Sequence, residues 1–210
     1  MPVAELTDAA LMERTKLGDR VAFEELVARY RQPVMNLARR TVNDATEAED
    51  LAQTVFVQAY KAAGRYRPTA KFSTWLFTIA RNLCLNEIRR RSRHPAESMD
   101  ACLEADDGEY VRQFEDRTIA GPDTDAQRAE LYRKIDEAIC ELPETQRTAI
   151  LLCREGELTY EDIAAVLNTS VSAVKSLIFR GRETLKKRLK PYLSTGEWQV
   201  GAADGTGGGR

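Results

Sequence analysis

The sequence predicts an all-α protein of two small helical domains, joined by an acidic flexible linker, with a helix-turn-helix in the second domain. Apolar residues recur at helical spacing over residues 1–91 and again over residues 127–193. Between them, residues 92–126 show no sustained period and carry 3 basic and 10 acidic side chains. No convincing strand pattern occurs, and the Gly-rich tail, residues 194–210, is expected to be disordered.

The charge distribution favours a nucleic-acid ligand although the net charge is −2. The first helical block has a net charge of +4, the linker −7 and the second block +2. Local charge, not the total, binds phosphate. No apolar run approaches the ~20 residues of a membrane span, and Met1 to Asp8 lacks the apolar core of a signal peptide. We therefore expect a cytoplasmic protein without membrane insertion.

Metal-dependent and enzymatic functions find little support in the sequence. None of the four cysteines forms a C-x-x-C pair, and the chain has one histidine. No nucleophile–base arrangement or Gly-rich cofactor motif is evident. We therefore predict no catalytic residue, no metal and no cofactor. The four cysteines and the one histidine, the candidate metal ligands, are Cys84, Cys102, Cys140, Cys153 and His94.

The first domain opens with a helical stretch from Leu11 to Leu37, which Pro33 is expected to interrupt or bend. The segment from Asn43 to Glu47 is a helix-start signal. Its acids either compensate the helix dipole or dock on a basic partner. An apolar stripe then continues to Gly64, formed by Leu51, Val55, Ala59 and Ala62.

A basic loop from Arg65 to Lys71 precedes the last helix of this domain, predicted over Thr74 to Arg91 with Ser73 as a possible cap. Aromatic and basic side chains alternate there, which is what single-stranded DNA requires for stacking and phosphate contact. Alternatively, Trp75 and Phe77 are core residues. The residues that alternate are Arg65, Tyr66, Arg67, Lys71, Phe72, Trp75, Phe77 and Arg81.

The second domain is predicted to contain four helices, of which the last two form a helix-turn-helix. Thr159 caps the third, with Asp162 completing a capping-box pattern, and the turn is Asn168 to Ser170. The predicted ranges are Gln127–Leu142, Glu144–Arg154, Thr159–Leu167 and Val171–Leu189.

The last helix has a basic outer face. Seven basic residues and one acid lie between Lys175 and Lys190, a pattern typical of a helix that enters the major groove. A membrane surface or a partner groove would suit a basic amphipathic helix too. The predicted outer positions are Ser172, Lys175, Ser176, Phe179, Arg180 and Arg182.

Together these segments resemble extracytoplasmic-function (ECF) sigma factors of the sigma-70 family. Asp44 to Lys61 is similar to the polymerase-binding helix of region 2, and Phe72 to Asn82 to its promoter-melting segment. Leu142-Pro143, Thr159 to Ala164 and Val174 to Arg182 are similar to region 4. The resemblance implies a subunit that directs RNA polymerase to promoters and catalyses nothing itself.

The resemblance also implies residues and partners. The partners are core RNA polymerase (clamp and flap), promoter DNA as duplex and as non-template single strand, and an anti-sigma factor. Thr54 departs from the acid usual at its position. The implied polymerase contacts are Asp50, Gln53 and Phe56. The implied −10 contacts are Arg65, Tyr66, Arg67, Lys71, Trp75, Arg81 and Asn82. The implied −35 contacts are Ser172, Lys175, Ser176, Phe179, Arg180 and Arg182.

The sequence leaves two alternatives open. A stand-alone helix-turn-helix regulator would explain residues 159–190 but not the first domain. The acidic linker either mimics RNA in the polymerase channel or is a solvated tether.

Overall fold

The computed structural model describes residues 3–93, 122–154 and 158–195. Within these ranges the protein consists of α-helices and short 3-10 turns without a strand, which confirms the predicted fold class. The helices are α1 (Asp8–Lys16), α2 (Arg20–Val42), α3 (Ala45–Ala62), α4 (Phe72–Arg93), α5 (Pro122–Cys140), α6 (Glu144–Arg154), α7 (Tyr160–Leu167) and α8 (Val171–Thr195).

Side-chain caps begin the first three helices. Each cap accepts a hydrogen bond from the backbone N–H three residues later, at 3.3 Å for Thr7, 3.1 Å for Asp19 and 2.9 Å for Asp44. Asn43, between α2 and α3, has a φ of 54°, a left-handed conformation that asparagine tolerates. These local signals place α3 where the sequence predicted a helix start.

Helix α2 continues through Pro33, so the predicted interruption does not occur. An internal proline costs a helix ~3 kcal/mol or more because it removes a backbone donor and crowds the preceding turn. Tyr30, Val34 and Leu37 flank it and are buried. Burial of large apolar side chains contributes ~1.5–3 kcal/mol each, which offsets the loss.

The first domain consists of α1 to α4, with α2 packed against both α3 and α4. Its core includes Leu26 and Val34 of α2, Val55 of α3, and Leu76 and Phe77 of α4, all almost completely buried. This packing holds the outer face of α3 and the loop before α4 on a fixed support.

The second domain consists of α5 to α8, with α8 packed against α5, α6 and α7. Gly181 allows α8 to approach α6 closely, because a Cβ at this position would lie 2.4 Å from Ile150 Cδ1. Val174 and Ile178 bury the inner face of α8.

In the described ranges, no single helix has the length and apolar composition to cross a membrane. Taken together, the helix pair Tyr160–Leu167 and Val171–Tyr192 has that length and composition, but the two helices are bent by 95° relative to each other.

The two domains pack against each other: α7 contacts α4, and α6 and α5 contact α2. One apolar core runs through both domains. Helix α5 begins at Pro122, before the predicted start at Gln127. Most of the predicted linker, with its possible RNA mimicry, and almost all of the predicted tail lie outside the described residues.

Candidate protein and nucleic-acid interfaces

The outer face of α3 carries the predicted polymerase contacts Asp50 and Gln53, both exposed. Val57 follows Gln53 by one helical turn and Asp50 by two, so the three side chains share one face. Val57 is 50% exposed, and Tyr60, one turn further, is 42% exposed. The face therefore combines a carboxylate, an amide and apolar groups, a composition suited to a protein partner.

Phe56, the third predicted polymerase contact, lies in the core instead. It follows Ala52 by four residues and precedes Ala59 by three, and both alanines are buried. Residues at these spacings share a helix face, which leaves Phe56 only 8% exposed. The polymerase contact predicted for Phe56 therefore stays a prediction for a residue that is buried in this structure, and Val57 is the exposed apolar side chain beside Asp50 and Gln53.

Acids at the start of α3 pair with arginines at the end of α4. The Arg91 guanidinium contacts the Glu47 carboxylate and lies 3.5 Å from that of Asp44. Arg90 lies 3.1 Å from Glu47. Glu87 pairs with both arginines, and the Arg90 hydrogen bond is the largest cause of its lowered pKa. These acids are thus engaged inside the domain.

The loop before α4 presents its basic side chains to solvent. Arg65, Arg67 and Lys71 are exposed, as the −10 prediction requires. Asn82, further along α4, is exposed too. These four side chains line the loop and one side of α4, where a backbone of phosphates could follow them.

Tyr66 lies on the buried side of this loop and is only 3% exposed. Its ring packs 5.2 Å from the Trp75 ring and 6.2 Å from the Phe72 ring, and its hydroxyl donates to the Ala70 carbonyl at 3.3 Å. Burial raises the pKa of the Tyr66 phenol. The DNA contact predicted for Tyr66 stays a prediction for a residue that is buried in this structure. Trp75 is partly buried.

Two predicted −10 contacts face the second domain. The Lys71 ammonium lies 2.8 Å from the Asp162 carboxylate, and the Arg81 guanidinium lies 4.0 Å from that of Glu144. The Arg81 side chain is only 16% exposed. A nucleic acid would therefore compete with carboxylates for both cations.

The helix-turn-helix has the predicted form. The Thr159 hydroxyl accepts from the Asp162 backbone N–H at 3.2 Å, and the Asp162 carboxylate accepts from the Thr159 backbone N–H at 2.9 Å. Asn168 ends α7 with a φ of 51°, and the Ser170 hydroxyl caps α8. The helices α7 and α8 meet at 95°, within the range of DNA-binding helix pairs.

The outer face of α8 brings the predicted −35 contacts together. Phe179 is 67% exposed, and Ser172 and Lys175 precede it on the same face. Ser176 is half-buried, with its hydroxyl bonded to the Ser172 carbonyl at 3.1 Å. Arg180 and Arg182 flank this row and are exposed. Five of the six predicted side chains thus lie on the outer side of one helix, and Arg182 lies at its edge, where its guanidinium donates to Cys153 Sγ of α6 at 3.7 Å.

Sequence reasoning missed the contact of Asp162 with Lys71 of the first domain and the exposure of Val57 beside Asp50 and Gln53. In the sequence, Asp162 stands out only by its capping-box spacing from Thr159, and no local sequence pattern indicates a contact with Lys71. In the described ranges no three His, Cys, Asp or Glu side chains cluster as metal ligands.

The chain matches known families over both domains. The family model of Sigma-70 region 2 matches residues 26–94, and that of Sigma-70, region 4 matches residues 132–185. The RNA polymerase sigma-H factor of Pseudomonas aeruginosa is 40% identical over 187 residues, covering 89% of this chain and 95% of that protein. The ECF RNA polymerase sigma-E factor of Escherichia coli K12 is 35% identical over 189 residues, covering 90% and 97%.

Solved structures share the fold. CnrH in complex with the cytosolic domain of CnrY superposes with a TM-score of 0.61 at 25% identity, covering 88% of this chain and 97% of that one. The sigma factor RpoE of Bartonella quintana, in complex with the anti-sigma factor NepR, gives a TM-score of 0.62 at 24% identity, covering 80% and 96%.

The matched regions follow one another in the order in which the two helical domains occur, and the identity to sigma factors extends over nearly the whole chain. This chain belongs to the ECF sigma factors of the sigma-70 family, the subunits that bind core RNA polymerase and direct transcription initiation at promoters.

Proposed function

We propose that this sigma factor docks on the polymerase clamp through the outer face of α3, with Asp50, Gln53 and Val57 at its centre. The exposure pattern of α3 supports this proposal. Its exposed face presents both polar and apolar side chains, and its opposite face packs in the core. A half-exposed valine beside a carboxylate and an amide offers apolar burial and directional hydrogen bonds together.

The −10 element is read by the loop and α4 in this proposal. Opening one base costs a few kcal/mol, and stacking on Trp75 can offset ~1–3 kcal/mol of it. Arg65, Arg67 and Lys71 neutralise phosphates of the non-template strand, with Arg81 and Asn82 further along α4. Tyr66 acts indirectly, because its buried ring holds the loop in place.

The −35 element is read by α8 in the major groove. Phe179 is positioned to contact a thymine methyl, and Arg180 can hydrogen-bond to a guanine. Ser172, Lys175, Ser176 and Arg182 complete the contact set around them. We further propose that this domain docks on the polymerase flap, so that polymerase sets the distance between the two promoter contacts.

We assign residues 1–91 to the −10 and polymerase-binding domain, 92–126 to the acidic linker, 127–193 to the −35 domain and 194–210 to the tail. The protein acts in the cytoplasm by binding alone, without a catalytic residue or cofactor. An anti-sigma factor controls it; in support, the structurally similar sigma factor RpoE of Bartonella quintana was solved in complex with the anti-sigma factor NepR.

Run-off transcription with core polymerase and a genomic promoter library tests this function. Defined new start sites that require both this protein and core polymerase are expected, and their alignment gives both promoter elements. Tight duplex binding by the protein alone, without new starts, would instead support a stand-alone helix-turn-helix regulator.

A further inference from the structure

The basic outer face of α8 continues beyond the −35 contacts predicted for this helix. Three exposed lysines, here called the distal lysines, lie in the second half of α8: Lys186, Lys187 and Lys190. Lys186 follows Phe179 by seven residues and precedes Lys190 by four, and residues at these spacings share a helix face. Phe179 is 67% exposed on the outer face. The distal lysines therefore extend the same outer face towards the end of the helix.

Contacts on the inner face hold this half of α8 against the rest of the domain. The Arg188 side chain is only 23% exposed, and its guanidinium lies 2.8 Å from the carboxylate of Glu141, just after α5. Leu185 packs against the apolar core. In the part of the chain that the structure describes, none of the distal lysines has an ion pair with a carboxylate. Their ammonium groups are thus available to a ligand, while the helix that carries them is fixed.

Helix α8 is longer than the groove that its first half is proposed to read. A B-DNA major groove is ~12 Å wide, whereas a rise of ~1.5 Å per residue makes the 25 residues of α8 about 37 Å long. Lys186 and Lys190 follow Phe179 by roughly 10 and 16 Å along the helix axis. When Phe179 contacts a base, a helix of this length therefore carries both lysines past the groove edge, where phosphates are the nearest DNA groups.

The composition of this surface favours phosphate over a protein or a membrane. From Thr184 to Tyr192 the chain has four basic residues and no acid, and Glu183, the one acid of α8, precedes this stretch. Among the described residues after Phe179, no large apolar side chain is exposed. A protein interface requires an apolar centre, and an amphipathic membrane helix requires an apolar face to insert. The phosphate backbone requires only positive charge along its path.

We propose that the distal lysines bind the phosphate backbone of the duplex beside the −35 element, and thereby add affinity that does not depend on base sequence. The inference rests on the proposed function, which places the first half of α8 in the −35 major groove. In this arrangement Phe179 and Arg180 select the base sequence, and the distal lysines anchor the helix at the groove edge. Each neutralised phosphate contributes ~0.9 to the slope of log affinity against log salt concentration, so three contacts contribute about 2.7.

Binding of the holoenzyme to labelled −35 duplexes from a mapped promoter, measured by fluorescence anisotropy over a range of salt concentrations, tests the proposal. The long duplex continues beyond the element by one helical turn, ~10 base pairs, on each side, and the short duplex ends at the element. The triple variant Lys186→Gln, Lys187→Gln, Lys190→Gln should bind the long duplex at least about tenfold more weakly at low salt, with a salt slope lower by about 2–3. The preference at each −35 position should stay unchanged. On the short duplex, the wild type and the triple variant should bind alike.

Single substitutions supply the matched control. Lys186→Gln should lower the salt slope by about 1 and weaken binding equally across −35 sequences. Arg133→Gln removes a cation of the same domain that lies on α5 and is 53% exposed. It should leave both the salt slope and the affinity at their wild-type values.

Three results would overturn the proposal. The first is an unchanged salt slope in the triple variant, and the second is an equal loss of affinity on the short duplex. The third is weaker assembly with core polymerase at an unchanged salt slope, which would assign the distal lysines to an acidic protein surface. Failure of the proposed function would look different, because the wild-type holoenzyme would then show no preference for the −35 duplex over a duplex of random sequence.

Discussion

Substitutions at two neighbouring apolar residues of α3, Phe56 and Val57, should separate effects on folding from effects on polymerase binding. Phe56 is 8% exposed and Val57 is 50% exposed. A Phe→Ala change in a core costs ~3–5 kcal/mol, so Phe56→Ala should lower the Tm by roughly 10 °C or more. Val57→Asp should lower the Tm by only about 2–4 °C, because half of its side chain already meets solvent.

The expected contribution of Val57 to polymerase affinity follows from the half of its side chain that is exposed in the free protein. Complete burial of a valine side chain contributes ~1.5–3 kcal/mol, so burying the remaining half at an interface contributes about 1 kcal/mol. Val57→Ala should therefore weaken polymerase binding roughly fivefold. An aspartate left unpaired in the interface costs a further ~1–3 kcal/mol, so Val57→Asp should weaken binding about thirtyfold or more.

Fluorescence titration of labelled protein with core polymerase measures the affinity, and circular dichroism measures the Tm. The matched control is Val21→Asp, since Val21 is a similarly exposed valine, 57%, on α2. Wild-type polymerase affinity in Val57→Asp would refute the assignment. So would a Phe56→Ala protein with a normal Tm and a selective loss of polymerase binding.

Three further predictions concern the second domain and the core. Arg180→Ala should relax one −35 position by ~1–3 kcal/mol, measured by selection from randomised −35 duplexes with the holoenzyme; unchanged preference at every position would contradict it. Burial raises the pKa of the Cys84 thiol to about 12, so Cys84 should resist alkylation at pH 8 until unfolding, as peptide mapping would reveal; rapid labelling in native protein would disprove its burial. The lowered pKa of Asp162, about 2 against an ordinary 3.8, means that its ionised contacts stabilise the fold above pH 4 and lose this contribution as the pH falls towards 2. The Tm difference between wild type and Asp162→Asn should shrink over that interval, and a constant difference down to pH 2 would argue against these contacts.

The burial of Phe56 was not evident from the sequence, for a physical reason. The predicted stripe of α3 ran through Leu51, Val55 and Ala59, whereas Ala52 and Phe56 lie at the buried centre together with Val55 and Ala59. A small rotation about the helix axis decides whether Phe56 meets a partner or the core. Hydrophobicity alone does not fix that rotation, because it depends on how α2 and α4 pack against α3.

Tyr66 shows the same limit in a loop. Its position between two arginines suggested a stacking platform beside a phosphate track. In the structure the ring contacts Phe72 and Trp75, and the arginines remain outside. An aromatic side chain in a basic loop satisfies either role, and the neighbouring rings of α4 decide between them.

The sequence by itself determined the helical segments, the caps Thr159 and Ser170, the helix-turn-helix and the outer row of α8, because these depend on residues within about one or two helical turns of each other. It misplaced the start of α4, which begins at Phe72 and includes the predicted cap Ser73. The tertiary structure alone decided which aromatic residues are buried and which cations are already paired. Lys71 and Asp162 are 91 residues apart in the chain, and no local pattern encodes a contact over that separation. Their meeting depends on how two complete domains pack, and that packing places a carboxylate where promoter DNA is expected to bind.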